Sequence, residues 1–263
     1  MIVIDSGLGG IAVARALRRQ APGLSFAYMA DTAGFPYGNR SAGDIISRAS
    51  HLIHALAQQM ELSTIVLACN TLSTLTLATL RELYPHYHFV GTVPAIKVAA
   101  GKAKRFTLLA TPNTAGSTYS RQLVDEFASD CVVDHYGAMN LARYAEAHLL
   151  GDVIDADSWR DELAPAFFDD ALGRTEAVIL GCTHYPLVLE QLKAAAPWPV
   201  EWIDSSEAIA RRALALPYVA VPTQAFVTGE VHVARYRDVF AREGFSELSA
   251  LGVADRLREA VQA

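Results

Sequence analysis

The chain has 263 residues, is 52% hydrophobic and 19% charged, and carries a formal net charge of −6. Its length exceeds the roughly 100–200 residues of one ordinary domain, and at this size about 70–75% of the unfolded surface is buried, so a core forms without staples. The acidic balance and the lack of any dense Lys/Arg run argue against nucleic acid or an anionic membrane as main partner, since both call for clustered positive charge; a small molecule is expected instead.

Behind Met1 the chain reaches Asp5 after three apolar residues, with no basic region and no long apolar segment following, so no leader peptide is expected. No apolar run approaches the ~18 residues that a membrane-spanning helix needs. Three cysteines at wide spacings do not make a disulfide framework and suit a reducing cytoplasm, where thiols stay free.

In chain order, short apolar runs end in polar or turn residues and lead into helical patterns: residues 2–4 before Asp5, 26–30 before Asp31, and 65–68 before Cys69. Residues 106–110 before Thr111, 131–133 before Asp134 and 177–180 before Gly181-Cys182 repeat the same endings roughly one hundred residues later. The chain therefore reads as α/β with two pseudo-symmetric lobes, each a mostly parallel sheet flanked by helices. Strand carboxyl ends then face a shared cleft, where ligands bind in such folds. Residues 91–94 are the expected crossover and 202–207 the expected return, which assigns 1–92 plus 205–263 to the first lobe and 93–204 to the second. Helices are expected over 41–60, 72–83, 187–195 and 230–243, where apolar residues recur at mixed three and four spacings. The C-terminal helices complete the first lobe.

The sharpest feature is a pair of segments, Thr64-Ile-Val-Leu-Ala-Cys-Asn-Thr71 and Ala177-Val-Ile-Leu-Gly-Cys-Thr-His184, each ending a buried strand on a cysteine. A thiol at a helix N-terminus sees unpaired N–H groups and leans toward thiolate from its ordinary pKa of about 8.5. Two such thiols in one cleft would approach a ligand carbon from opposite faces. That is the geometry for inverting a stereocentre through a planar carbanion, one thiol removing a proton and the other returning it. A lone intracellular cysteine is more often a small buried hydrophobe, and Cys131, in an apolar run beside only Asp130, is read as core. Duplication in matched polar settings favours chemistry for Cys69 and Cys182.

His184, two positions after Cys182, is placed to exchange that thiol's proton; a structural histidine is the plain alternative. Asp5-Ser-Gly-Leu-Gly-Gly10 ends the first strand with a carboxylate, a hydroxyl and a glycine turn whose N–H groups would face a ligand carboxylate. Its spacing matches neither the dinucleotide fingerprint nor the P-loop. Zinc on Cys69, Cys182 and His184 is a rival reading, disfavoured because no paired Cys-x₂₋₄-Cys or His-x₃₋₅-His element is present. A pyridoxal imine would need Lys97, Lys102, Lys104 or Lys193, none in a distinctive setting. No cofactor and no metal are expected.

Asp5-Ser-Gly-Leu-Gly-Gly10, Phe35-Pro-Tyr-Gly38, Ala68-Cys-Asn-Thr71, Val93-Pro-Ala95 and Gly181-Cys-Thr-His-Tyr-Pro186, taken in order and spacing over nearly the whole chain, resemble glutamate racemase of the aspartate/glutamate racemase superfamily. Asp204-Ser205 is similar to the acidic turn after that family's last second-lobe strand. The resemblance implies cofactor-independent interconversion of L- and D-glutamate in the cytoplasm, supplying D-glutamate to peptidoglycan. It implies that Cys69 deprotonates D-glutamate and Cys182 L-glutamate, assisted by Asp5 and His184. By the same resemblance Asp5, Ser6, Tyr37, Gly38, Asn70, Thr71, Thr114, Thr183 and His184 hold the substrate, with no arginine clamp. The chain departs from the family where a Cys-Pro turn, an apolar stretch and a functional glutamate are usual. It reads Tyr136-Gly-Ala-Met-Asn-Leu-Ala-Arg-Tyr-Ala-Glu146, which leaves open how His184 is supported, an ordinary helix-surface glutamate being the other reading of Glu146.

The partner implied is a small amino-acid substrate, with no nucleic acid and no membrane, and with a homodimer as the candidate assembly. Two alternatives stand beside this one. An aspartate or other amino-acid racemase of the same superfamily would share the thiols, and a substrate panel separates the two. A binding protein without turnover would need the polar cleft but not two proton-transfer groups.

Overall fold

Runs such as Ile-Val-Ile and Ala-Tyr-Met-Ala are apolar at every position because their strands are covered on both faces, the signature of a buried parallel sheet. In the computed structural model, which describes residues 1–252, the first strands are Ile2–Asp5 (β1), Ala27–Ala30 (β2), Thr64–Leu67 (β3) and His88–Gly91 (β4). The chain then builds Arg105–Ala110 (β5), Val132–Gly137 (β6), the two-residue strands Asp169–Asp170 (β7) and Gly173–Arg174 (β8), Ala177–Gly181 (β9) and Glu201–Ile203 (β10). It ends with Gln224–Thr228 (β11) and Glu247–Leu251 (β12). Residues 253–263, the tail of the expected first lobe, lie outside the described residues.

The first sheet has six parallel strands in the order β12-β11-β2-β1-β3-β4, the second four parallel strands in the order β10-β9-β5-β6, and β7 and β8 form a small antiparallel pair. Period-two alternation separates the faces of the first sheet: Val3, Tyr28 and Val66 enter one core, and Ile2, Ile4, Met29, Ile65 and Leu67 the other. In each sheet the chain leaves its central strand first toward one neighbour and later toward the other. It goes from β1 to β2 and then to β3, and from β5 to β6 and then to β9. Ligands in open α/β sheets sit at such switch points, at the carboxyl ends of the strands. Asp5 and Cys69 lie at one of these points, Thr111 and Cys182 at the other.

The expected helices form with shifted ends. The first runs Ala42–Ala57, capped by Ser41 Oγ, which accepts from the Asp44 N–H at 3.2 Å. The second begins earlier than periodicity suggests, at Asn70, because Cys69 itself is its N-cap. The third is a 3₁₀ turn, Tyr185–Val188, followed by Leu189–Ala195, since Pro186 sits in its first turn and the residues ahead of it are not α-helical. The fourth spans Glu230–Arg242.

Two readings need correction. The C-terminal part is not helical only: β11 and β12 add two strands beside β2, β12 reaching the edge with a mostly exposed polar pattern that sequence alternation does not mark. Cys131 is not core. It precedes β6, an edge strand half-buried throughout, and its Sγ lies 3.7 Å from Ala103 O and 3.6 Å from Asp130 Oδ1. Among the described residues no helix is long and apolar enough to cross a membrane.

Candidate active site

The two switch points face each other across a narrow, nearly filled cleft. Ser6, Tyr37, Gly38, Cys69, Asn70, Thr71, Cys182 and His184 line it, joined by Phe35, Pro36, Thr111 and Ala142. Asp5, Thr183 and Thr114 stand one layer behind and hold the walls together. Asp5, fully buried at the end of β1, accepts from the Gly7 N–H at 2.8 Å and from Thr183 Oγ1, on the opposite wall, at 2.9 Å. Thr71 shares a hydrogen bond with Thr111 at 2.8 Å and with Thr114 at 3.3 Å, again across the cleft.

Cys69 caps the Asn70–Leu83 helix and receives the Ser6 hydroxyl at 3.7 Å. The helix N-terminus does not win here. Burial, and next the charge of Asp5, push the Cys69 thiol well above its ordinary range against the opposing pull of the Leu72 N–H. Cys69 thus holds its proton more tightly than helix position alone leads one to expect. Asp5 is itself held above the ordinary carboxylate range by burial, opposed by His184, the Gly7 N–H and Thr183.

Cys182 follows β9 directly, with its Sγ 3.7 Å from His184 Nδ1. The other ring nitrogen, Nε2, donates to Glu146 Oε2 at 2.8 Å. Burial opposes charge on this imidazole, but the contacts with Cys182 and Glu146 outweigh it and raise His184 well above its ordinary range. Glu146 is therefore not a helix-surface residue. It is 3% exposed, and its carboxylate also accepts from the Leu8 N–H at 2.9 Å and the Tyr236 hydroxyl at 2.7 Å. The support of His184 survives the altered Tyr136–Glu146 stretch because the Leu141–Leu149 helix still delivers this carboxylate.

The glycine turn plays a different part from the one its N–H groups suggested. The Gly7 and Leu8 N–H groups are committed to Asp5 and Glu146, and the glycines instead permit close approach. A Cβ at Gly9 would fall 2.5 Å from His184 Nδ1, and one at Gly7 would fall 2.8 Å from Glu146 Oε1. Tyr37 likewise turns its hydroxyl away, onto Asp31 Oδ2 at 2.6 Å, and Asp31 also accepts two bonds from Arg48 at 2.6 Å each. Asn70 Nδ2 remains buried without a partner beside the cavity, a free donor for an incoming acceptor.

Thr111, Glu146 and Tyr236 are the site residues that sequence reasoning missed or left open. Thr111 had a signal, since it ends β5 where Asp5 ends β1; Tyr236, on an ordinary amphipathic helix, had none. Lys97, Lys102, Lys104 and Lys193 are all exposed and away from the cleft.

The comparisons with known proteins agree with this geometry. A model of the Asp/Glu/Hydantoin racemase family matches residues 10–213. The glutamate racemase of Sinorhizobium medicae (strain WSM419) is 45% identical over 218 residues, covering 82% of this chain and 80% of that protein. The chain belongs to the Asp/Glu/Hydantoin racemase family. The structure of Escherichia coli glutamate racemase, in complex with L-glutamate and the activator UDP-MurNAc-Ala, superposes with a TM-score of 0.88 at 33% identity, covering 95% of this chain and 97% of that one. Glutamate racemase isoform RacE1 from Bacillus anthracis gives 0.76 at 27% identity, covering 94% and 95%. This racemase thus shares the two-lobed α/β architecture of the glutamate racemases, with its cleft between the sheets.

Proposed function

We propose that this racemase interconverts L- and D-glutamate without a cofactor, Cys69 and Cys182 serving as the two proton-transfer groups, and that it works in the cytoplasm to supply D-glutamate for peptidoglycan. The observation that carries the reading is that both thiols open on one small cavity from the strand ends of two different sheets. The same reading divides the lobes at 92/93 and 204/205.

With L-glutamate bound, Cys182 as thiolate takes the α-proton while Cys69 as thiol gives its own to the opposite face. The cycle ends with Cys182 protonated and Cys69 a thiolate, ready for the reverse reaction from D-glutamate. His184 exchanges a proton with Cys182, and Asp5 does the corresponding work near Cys69. Asn70 Nδ2 and the first N–H groups of the Asn70–Leu83 helix are donors for the α-carboxylate, which gains negative charge as the α-carbon loses its proton. A substrate ammonium entering beside Asp5 brings positive charge to the Cys69 side of the cleft, as His184 does on the Cys182 side. Of the binding group implied by resemblance, Ser6, Gly38, Asn70 and Thr71 line the cavity, and Tyr37 contributes its ring and backbone.

Circular dichroism of L-glutamate in deuterated buffer, with reductant and a chelator, tests the reading. The signal should decay as deuterated D-glutamate forms. Decay with L-aspartate but not with L-glutamate would shift the substrate, and no exchange with either would reject the enzyme reading.

A further inference from the structure

Cys182 is connected to the far side of the molecule by a chain of hydrogen bonds. The thiol lies 3.7 Å from His184 Nδ1, His184 Nε2–H donates to Glu146 Oε2 at 2.8 Å, and Tyr236 O–H donates to Glu146 Oε1 at 2.7 Å. Tyr236 comes from the Glu230–Arg242 helix, which packs on the first sheet, whereas Glu146 and His184 follow strands of the second. We propose that Tyr236 is a positioning residue for the Cys182 half of the reaction, locking the Glu146 carboxylate in the orientation that holds His184 Nε2–H and so presents Nδ1 to the thiol. The proposal rests on the two-thiol reading above.

Three features support it. The three donors use both oxygens of Glu146, with Leu8 N–H and His184 on one and Tyr236 on the other, so among the described residues the tyrosine is the sole side-chain anchor of Oε1. A carboxylate fixed on both oxygens cannot rotate about its terminal bond, and the imidazole it holds keeps one tautomer and one ring plane. Burial, and next the charge of Glu146, raise the Tyr236 phenol, which stays a donor across the working range. The ring is also buried, stacked 6.4 Å from Phe240, so Tyr236→Phe removes the hydroxyl and leaves the packing. Among the described residues Cys69 has no equivalent chain, its side-chain partner being the Ser6 hydroxyl, so the effect of Tyr236 is confined to one face of the substrate.

That confinement makes the proposal separable from a general loosening. The two enantiomers have equal free energy, so kcat/KM must fall equally in both directions, here by about ten-fold or more, the worth of one hydrogen bond to a charged group. The isotope effects then diverge. If only the Cys182 proton transfer slows, the effect on kcat/KM grows for 2-deuterated L-glutamate, whose bond is cleaved at that face, and shrinks for 2-deuterated D-glutamate. Glu146→Gln should move both isotope effects in the same directions, and the double variant should lose much less than the product of the two single losses. An unchanged kcat/KM in Tyr236→Phe, isotope effects that move together, or multiplicative losses in the double variant would each overturn the proposal. A parent enzyme that racemises neither enantiomer would instead overturn the functional reading beneath it.

Discussion

The two cysteines occupy matching positions, each just past the carboxyl end of a strand beside the switch point of its sheet, yet their surroundings differ. Cys69 starts a 14-residue helix and has a serine hydroxyl and a buried carboxylate for neighbours. Cys182 starts a short loop and 3₁₀ turn and has an imidazole backed by Glu146. Repetition of the backbone places two sulfurs alike, while the side chains around them differ. Burial, and next the Asp5 carboxylate, push the Cys69 thiol up, whereas Cys182 lies 3.7 Å from the Nδ1 of an imidazole.

The largest expected effect tests whether the halves divide the chemistry. Cys69→Ala and Cys182→Ala should each lower racemisation by at least about 10³-fold, at the upper end of what one acid/base group contributes. In deuterated buffer, Cys69→Ala should exchange the α-hydrogen of L-glutamate without inversion, and Cys182→Ala that of D-glutamate. Proton NMR of the α-position reads both. Exchange of the same enantiomer by both variants would erase the assignment of faces.

Next in size is Asp5, whose expected losses and gains have opposite signs. Asp5→Asn should cut kcat by about 10²-fold, the lower end of acid/base contributions. The same change should stabilise the fold in alkali. Burial raises the Asp5 pKa above the ordinary carboxylate range, so the folded chain prefers the protonated form. That preference stabilises the fold in acid and is lost as pH rises through the folded pKa. The permanently neutral variant should therefore melt a few degrees above the parent at about pH 8, with the gap closing toward about pH 4, given ~2–4 °C per kcal/mol in chains of this size. A calorimetric gap independent of pH would contradict the cause assigned to Asp5. The smallest effect belongs to Tyr37→Phe. It frees one acceptor position on Asp31, which Arg48 and Thr228 still bond, so KM should rise about five-fold with kcat nearly unchanged.

Much of this could be read before the structure was known, for physical reasons that apply unevenly. β1, β2 and β9 are nearly continuous apolar runs, and β3 and β5 are mostly apolar, because parallel strands covered on both faces have little room for a polar side, and their polar endings mark the cleft. β12 and β6 are edges: exposure removes the hydrophobic signal of β12, while β6 shows one and is still only half-buried, which leaves Cys131 at the core's margin. Cys69, Cys182, Asp5 and His184 were legible because they cluster in short motifs. Tyr236 was not, because it reaches the site from a helix more than fifty residues past His184, across a packing contact with no local spacing to mark it. The proton affinity of Cys69 also escaped, since helix position can be read locally but desolvation by an opposing wall cannot.

Gly7, Gly9 and Gly38 have one thing in common: a Cβ at any of them would run into a side chain of the facing wall, namely Glu146, His184 and Thr183, or Thr111. These positions form a seam, and the size of the chamber is set there as much as by the residues that line it. A methyl group at the seam would act as a shim, leaving every polar contact chemically intact while holding the walls apart. A cleft this narrow tolerates little such spacing before water gains entry. How closely the two walls approach is therefore set partly by residues that have no side chain at all.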